Sequence, residues 1–222
     1  MAWKPILAEH FEDFERQDYA GRLGMWLFLG SEAMLFAGLF ALYAVYRVMY
    51  GEDFLHAQGS NDPFFGTVNT VILISSSFTV AWAIHSVRTH KSKNFVTALI
   101  GITLLGGVAF LVVKSFEYID HFEHGIFPGK FYNNHDPSLN TFGAMTFFTL
   151  YYFMTGLHVI HVLAGMIVLT WLFVRSIRHG FHHKHHLGLE LGGLYWHLVD
   201  LVWIFLWPLL YLTGLPPGVA PH

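Results

Sequence analysis

The sequence predicts an all-α integral membrane protein, a bundle of five transmembrane helices with the N-terminus inside and the C-terminus outside. Three observations carry that expectation. Five stretches of at least about 20 mostly apolar residues, the length that crosses a hydrocarbon core of about 30 Å, fill most of the 222 residues. Charged residues make up 12% of the chain against 54% hydrophobic, with a mean hydropathy of +0.46, outside the range of soluble proteins. Lysines and arginines also alternate between successive connectors, as topology demands of a chain that crosses a membrane repeatedly.

Residues 1–21 form a polar, acidic tail without the basic start and apolar core of a cleavable signal, so the N-terminus is expected to stay on the uncrossed side. The spans follow at about 23–49, 64–87, 95–118, 139–174 and 187–212. The fourth is longer than a bilayer requires, which implies tilt or an extension beyond the lipid. Lys4, Arg16 and Arg22 precede the first span, Arg88, Lys91 and Lys93 follow the second, and Arg175, Arg178 and Lys184 follow the fourth. Only Arg47 and Lys130 fall on the opposite side, while Lys114 lies within a span. Cations in short loops mark the cytoplasmic face, so these positions give N-in, C-out and an odd number of helices. Segments 51–63 and 125–137 carry Gly, Pro, Asn and Asp and read as turns on the outer face. No internal repeat is evident, and one domain covering residues 1–222 is the economical organisation.

Several classes are excluded. With no cysteine the chain forms no disulfide, thiolate metal site, iron–sulfur cluster or covalent c-type haem. A net charge of −3 with scattered cations does not suit nucleic acid. The tract His182, His183, Lys184, His185 and His186 has the donors for a transition metal, but beside Arg175 and Arg178 it reads better as a loop touching anionic headgroups or a partner subunit. No metal site is expected.

Ionisable groups at membrane depth are costly and therefore candidates for function. Glu32 lies ten residues after Arg22, about 15 Å into the first span at the helical rise. Either it is a proton-antenna or gating acid, or it is a protonated acid hydrogen-bonded between helices. Lys114 and Glu117, three apart on one helix face, suit an ion pair of structural purpose. Asp120, His121, Glu123 and His124 read as solvated rim residues. His158 and His161, with His85 and His197, raise haem ligation by imidazoles from different helices. Hydrogen-bonded core or headgroup histidines are the plainer reading, because His85 and His197 do not share a depth. In the last span Trp196, Asp200, Trp203 and Trp207 form one stripe that faces protein, with Asp200 expected to bond His197 or a neighbouring helix. Gly101, Gly106 and Gly107, with Ser75, Ser76, Ser77 and Thr79, allow close helix packing.

Five of these segments, in order, resemble subunit III of haem-copper oxidases, the cytochrome c oxidases and related quinol oxidases. GMWLFLGSEAMLFAGLFALYAVYR resembles the helix bearing the family's carbodiimide-reactive glutamate, which falls on Glu32. VNTVILISSSFTVAWAIHSV places Asn69, Thr70, Trp82 and His85 at family positions, and FEYIDHF carries the family's glutamate at Glu117. TGLHVIHVLAG supplies the Thr-Gly-x-His-x-x-His segment with His158 and His161. HHLGLELGGLYWHLVDLVWIFLWPLLYL matches the closing signature with Glu190, Trp196, His197, Asp200 and Trp203.

The resemblance implies a non-catalytic subunit of a proton-pumping terminal oxidase in a bacterial inner membrane, beside a subunit I that holds the haems and copper and a subunit II. It implies bound phospholipid, no redox cofactor on this chain, and roles in proton uptake, in protecting the catalytic subunit during turnover and in lipid or oxygen access. A respiratory supercomplex is a wider setting that the resemblance leaves open. YWHLVDLVW and Glu32 look closer to the cytochrome c branch than to quinol oxidases. The long form of the family has seven helices and this chain resembles the last five, so a partner would complete the lipid cleft between the two parts. Two other classes compete: a haem-binding, quinol-oxidising cytochrome, motivated by sixteen histidines, and a transporter coupled through Glu32, disfavoured because five spans do not divide into paired halves.

Overall fold

In a computed structural model, which describes residues 11–134, 136–181 and 186–214, five helices are long and apolar enough to cross a membrane. The Lys4 position and most of the histidine tract, residues 182–185, lie outside the described residues. Among the described residues no strand forms.

Four of the five long helices start where a side chain satisfies a free backbone N–H. Asp13 accepts from the Arg16 N–H at 2.7 Å and opens α1, Phe14–Met49. The helix thus begins well before the apolar run at residue 23, because the charged first turns pair with one another and with the rim of the bundle. Asp62 and Pro63 open α3, Pro63–Arg88; Ser92 opens α4, Lys93–Glu123; and Thr141 opens α5, Phe142–His179. Gly180, at φ +72°, ends α5 in a left-handed conformation that a side chain would disfavour. The last helix, α6, Leu187–Trp207, passes at Pro208 into one wider π-type turn over Pro208–Leu212.

The connector after α1 is not the plain turn that its Gly and Asp content suggests. Tyr50 leaves helical geometry at φ −128°, ψ 46°, and the chain resumes at once as α2, Gly51–Gly59, which buries Phe54, Ala57 and Gln58. Its reason lies elsewhere in the sequence. Helical structure stops at Leu212, so the carbonyls of the final turn, those of Leu209 and Leu210 among them, have no following helical N–H to accept from and donors must come from outside. Tyr43 donates to the Leu209 carbonyl at 2.9 Å, Asn61 donates to that of Leu210 at 2.9 Å, and Gln58 donates to Leu209 as well. Arg47 fixes Gln58 through its Oε1 at 2.8 Å. The connector before α5 does contain turns, with Gly125 and Gly129 at positive φ, an isolated bridge between Ile126 and Tyr132, and a short 3₁₀ turn, Gly129–Phe131.

Helices α3, α4, α5 and α6 pack as a four-helix bundle, and α1 lies against α5 and α6. Small residues set the close approaches: Gly106 faces Ser76, and Gly107 faces Trp196 and Met166. Hydrogen bonds then cross between helices from Trp196 Nε1 to Ser76 (3.0 Å), from Trp203 Nε1 to Thr70 (3.1 Å), and between Thr79 and Thr103 (2.8 Å). Lipid offers no partner for such groups, so pairing inside the bundle is obligatory. The outer faces stay apolar, and α1 is the least covered helix, burying Leu29, Phe36 and Tyr43 while Met34 and Val48 stand exposed.

Candidate functional site

Glu32 sits near the midpoint of α1 and turns toward α5, where its Oε2 lies 2.8 Å from Nε2 of His161. The two side chains retain 19% and 12% exposure, enough for a small lipid-borne reagent to reach the acid. His161 Nδ1 lies 2.8 Å from the Leu157 carbonyl, and a carbonyl only accepts, so Nδ1 carries a hydrogen. Nε2 and the carboxyl therefore share one further proton, held as a neutral acid–imidazole pair or as a carboxylate–imidazolium pair. Phe36 packs edge-on to the imidazole at 5.2 Å, and the Tyr195 hydroxyl donates to the His161 carbonyl at 3.3 Å. The first turn of the Thr-Gly-x-His-x-x-His segment aims differently. His158 is fully buried between the Phe110 ring at 5.4 Å and the Trp203 ring at 5.1 Å, and neither nitrogen finds a hydrogen-bond partner among the described residues. The expected hydrogen-bonded core histidine is here a ring stacked among rings.

Lys114 and Glu117 are joined at 3.0 Å in the core, each 2% exposed. The surrounding hydroxyls close the network. Lys114 Nζ also donates to Tyr151 at 2.8 Å and Tyr211 at 2.7 Å, and both hydroxyls pass their own protons to Glu117 Oε1 at 2.5 and 2.6 Å. All three ammonium protons and both carboxylate oxygens are thus used. The Trp203 face lies 5.4 Å from Nζ. Sequence reasoning found the pair but missed Tyr151 and Tyr211. Tyr151, Thr155, His158 and Val162 share one helical stripe of α5, a signal open to detection, whereas Tyr211 arrives only through the π turn. His121 is not a solvated rim residue: it is 2% exposed, packed on Tyr151 at 5.4 Å, because α4 continues five residues past residue 118 and turns that face inward. Asp120, Glu123 and His124 are exposed as expected.

Where α6 begins, Glu190 gathers Arg22 at 3.0 Å, Arg88 at 2.5 Å and His186 at 2.9 Å, tying the first part of α1 and the start of α6 to the end of α3. His85, one turn before Arg88, is exposed. His197 reaches across to α3, with Nδ1 2.6 Å from the Ser77 hydroxyl. Asp200 makes no bond to His197; the Ser77 hydroxyl of the neighbouring α3 stands where it can serve either residue, and while it serves His197 both buried Asp200 oxygens are without a hydrogen-bond partner among the described residues. Trp196 and Trp203 are fully buried. The structure thus separates the candidates into a Glu32–His161 pair, a closed Lys114–Glu117 network, a cluster on Glu190, and a Ser77–His197–Asp200 group. Among the described residues no three His, Asp or Glu side chains cluster as a metal site would need.

Residues 17–215 match the family model described as cytochrome c oxidase subunit III. A cytochrome c oxidase subunit 3 from Thermostichus vulcanus is 34% identical over 196 residues, 86% of this chain and 86% of that protein. The subunit 3 of Loxodonta africana is 33% identical over 203 residues, covering 87% of this chain and 69% of the relative. A probable cytochrome c oxidase subunit 3 from Rickettsia bellii is 30% identical over 233 residues, covering 96% and 76% respectively.

Proposed function

This chain belongs to the cytochrome c oxidase subunit III family and is an accessory, multi-pass membrane subunit of a haem-copper oxidase that assembles with other oxidase subunits, and from that premise we propose that its Glu32–His161 pair is a proton-holding element that supports proton uptake by the catalytic subunit. One observation carries the reading: an acid and an imidazole lie within hydrogen-bond distance, 2.8 Å, between α1 and α5, about 15 Å from Arg22 along the helix. A pair of that kind moves its proton between the two members with no change of net charge, and when it gains or gives up a proton the single resulting charge is spread over two hydrogen-bonded groups rather than left bare in lipid. The partners we infer are the catalytic subunit I, which would hold the haems and copper, and subunit II, in a bacterial inner membrane with the N-terminus inside. The chain itself would hold phospholipid and no redox cofactor. His158 supports this assignment, since a porphyrin facing it would have to displace Phe110 or Trp203 from the core.

Purification of this chain from its native membrane in mild detergent, with a visible spectrum and identification of partners, tests the reading. Copurified haem and copper subunits, with the haem lost when this chain is stripped away, are expected. Haem retained on the isolated chain would instead establish a haem-binding cytochrome. For Glu32 itself, an apolar carbodiimide should label this acid in preference to Glu117 and Asp200, which are 2% and 3% exposed. Glu32→Gln should leave assembly intact and slow proton uptake or alter inactivation during turnover. Full loss of electron transfer with normal assembly would contradict an accessory role.

A further inference from the structure

On the face of α3 and α6 away from Glu32 runs a shallow groove of about 360 Å³, walled by Ile74, Phe78 and Ile204 and floored by Ser77, His197 and Asp200. Phe78 and Ile204 are 65% and 45% exposed, so the walls open to the bilayer. The floor is polar and incompletely bonded. Asp200 is 3% exposed, and with the Ser77 hydroxyl turned to His197 neither oxygen has a partner among the described residues. The single Ser77 proton cannot repair this: it serves His197 or one carboxyl oxygen, and the other oxygen is left over in either case. Asp200 lies ten residues beyond Glu190, about 15 Å below the rim at which α6 begins.

We propose that this groove seats a transmembrane helix of another oxidase subunit, which brings a hydrogen-bond donor to Asp200. The inference rests on the subunit reading above. Depth favours a polypeptide, because phosphate headgroups stay at the interface and acyl chains donate no hydrogen bond. Shape does too. A small amphiphile is normally enclosed over most of its surface, whereas this groove is open along its length and holds side chains projected from a helix laid across it. An acid without its complement on the lipid-facing side of a subunit is what a donor from a neighbouring helix satisfies.

The test uses the assembled complex in native membranes, with a photoreactive residue in place of Phe78 or, separately, Ile204. The expected product joins this chain to another oxidase subunit. Its yield falls roughly tenfold in Asp200→Leu, the size of a lost hydrogen bond to an acid, while Asp200→Asn, which still accepts, keeps most of it. Abundance of the chain and carbodiimide labelling at Glu32 report whether each variant is folded. If Asp200→Leu does not accumulate, the wild-type and Asp200→Asn products decide the matter. Products with only lipid, quinone or a second copy of this chain, in a complex that still holds the other subunits, would overturn the proposal and leave the subunit reading standing. A wild-type yield in Asp200→Leu would overturn it as well. A preparation with no other oxidase subunit would overturn the subunit reading and this proposal together.

Discussion

At the scale of single residues, the fully bonded Lys114–Glu117 pair and the unbonded Asp200 obey one rule with opposite outcomes. A charge in the core is tolerable when every proton and lone pair is matched, and the pair is matched by Tyr151 and Tyr211. Lys114→Met removes three donors and leaves Glu117 as an unpaired buried acid, so unfolding stability in detergent should drop by about 3–5 kcal/mol. Lys114→Met combined with Glu117→Leu should recover part of that loss, since the apolar pair needs no partner while the buried Tyr151 and Tyr211 hydroxyls, 3.4 Å apart, keep only each other. Were the double variant as unstable as the single one, the network would have a role beyond mutual neutralisation. Tyr211→Phe is milder: it leaves one ammonium proton and one carboxylate lone pair unmatched, and a loss of about 1–3 kcal/mol is expected in the same measurement.

At the scale of elements, two contacts decide how the helices fit. Gly165 and Gly156 lie on the same helix, α5, yet a methyl group at Gly165 would meet the Trp196 ring at 2.8 Å while one at Gly156 meets nothing within 4 Å. Gly165→Ala should therefore destabilise the chain by about 1–3 kcal/mol, pushing Trp196 off its bond to Ser76. Gly156→Ala should be neutral or stabilising by up to about 1 kcal/mol, because alanine favours the helix. Thermal unfolding of the two variants side by side separates crowding from propensity. The other contact is α2 against the end of α6. Gln58→Ala strips a donor from the Leu209 carbonyl and leaves Arg47 held by Tyr43 alone, and protease cleavage near residue 212 should become faster while the rest of the chain resists. Neither contact was legible in the sequence. Apolar length located the helices, but α2 caps carbonyls left free at the end of the last helix, some 150 residues away, and no local pattern reports that need.

At the scale of the whole molecule, legibility follows the range of the forces. The number of spans was readable because bilayer thickness acts on each segment separately, and charge scarcity within a span is a local property. Helix ends moved where tertiary contacts overrode hydropathy, as at Phe14, and His121 was misplaced because the apolar run ends before the helix does. The Glu32–His161 contact joins positions 129 residues apart, so each residue stood out alone but their shared proton did not. The order of the cations makes a claim about the entire chain that helix packing leaves open, namely which face is inside. Sequence order assigns nine cations to one face and two to the other, and a chain without cysteine is suited to reporting it. Single cysteines at Lys91, in the connector between α3 and α4, and at Ser138, in the connector before α5, lie on opposite sides of the bundle. In intact cells a membrane-impermeant maleimide should label Ser138→Cys and spare Lys91→Cys until the membrane is opened. The reverse pattern would mean that the chain inserts against its own charge bias. Glu190, with Arg22 and Arg88, would then face outward, and the Glu32 pair would draw its protons from the other side of the membrane.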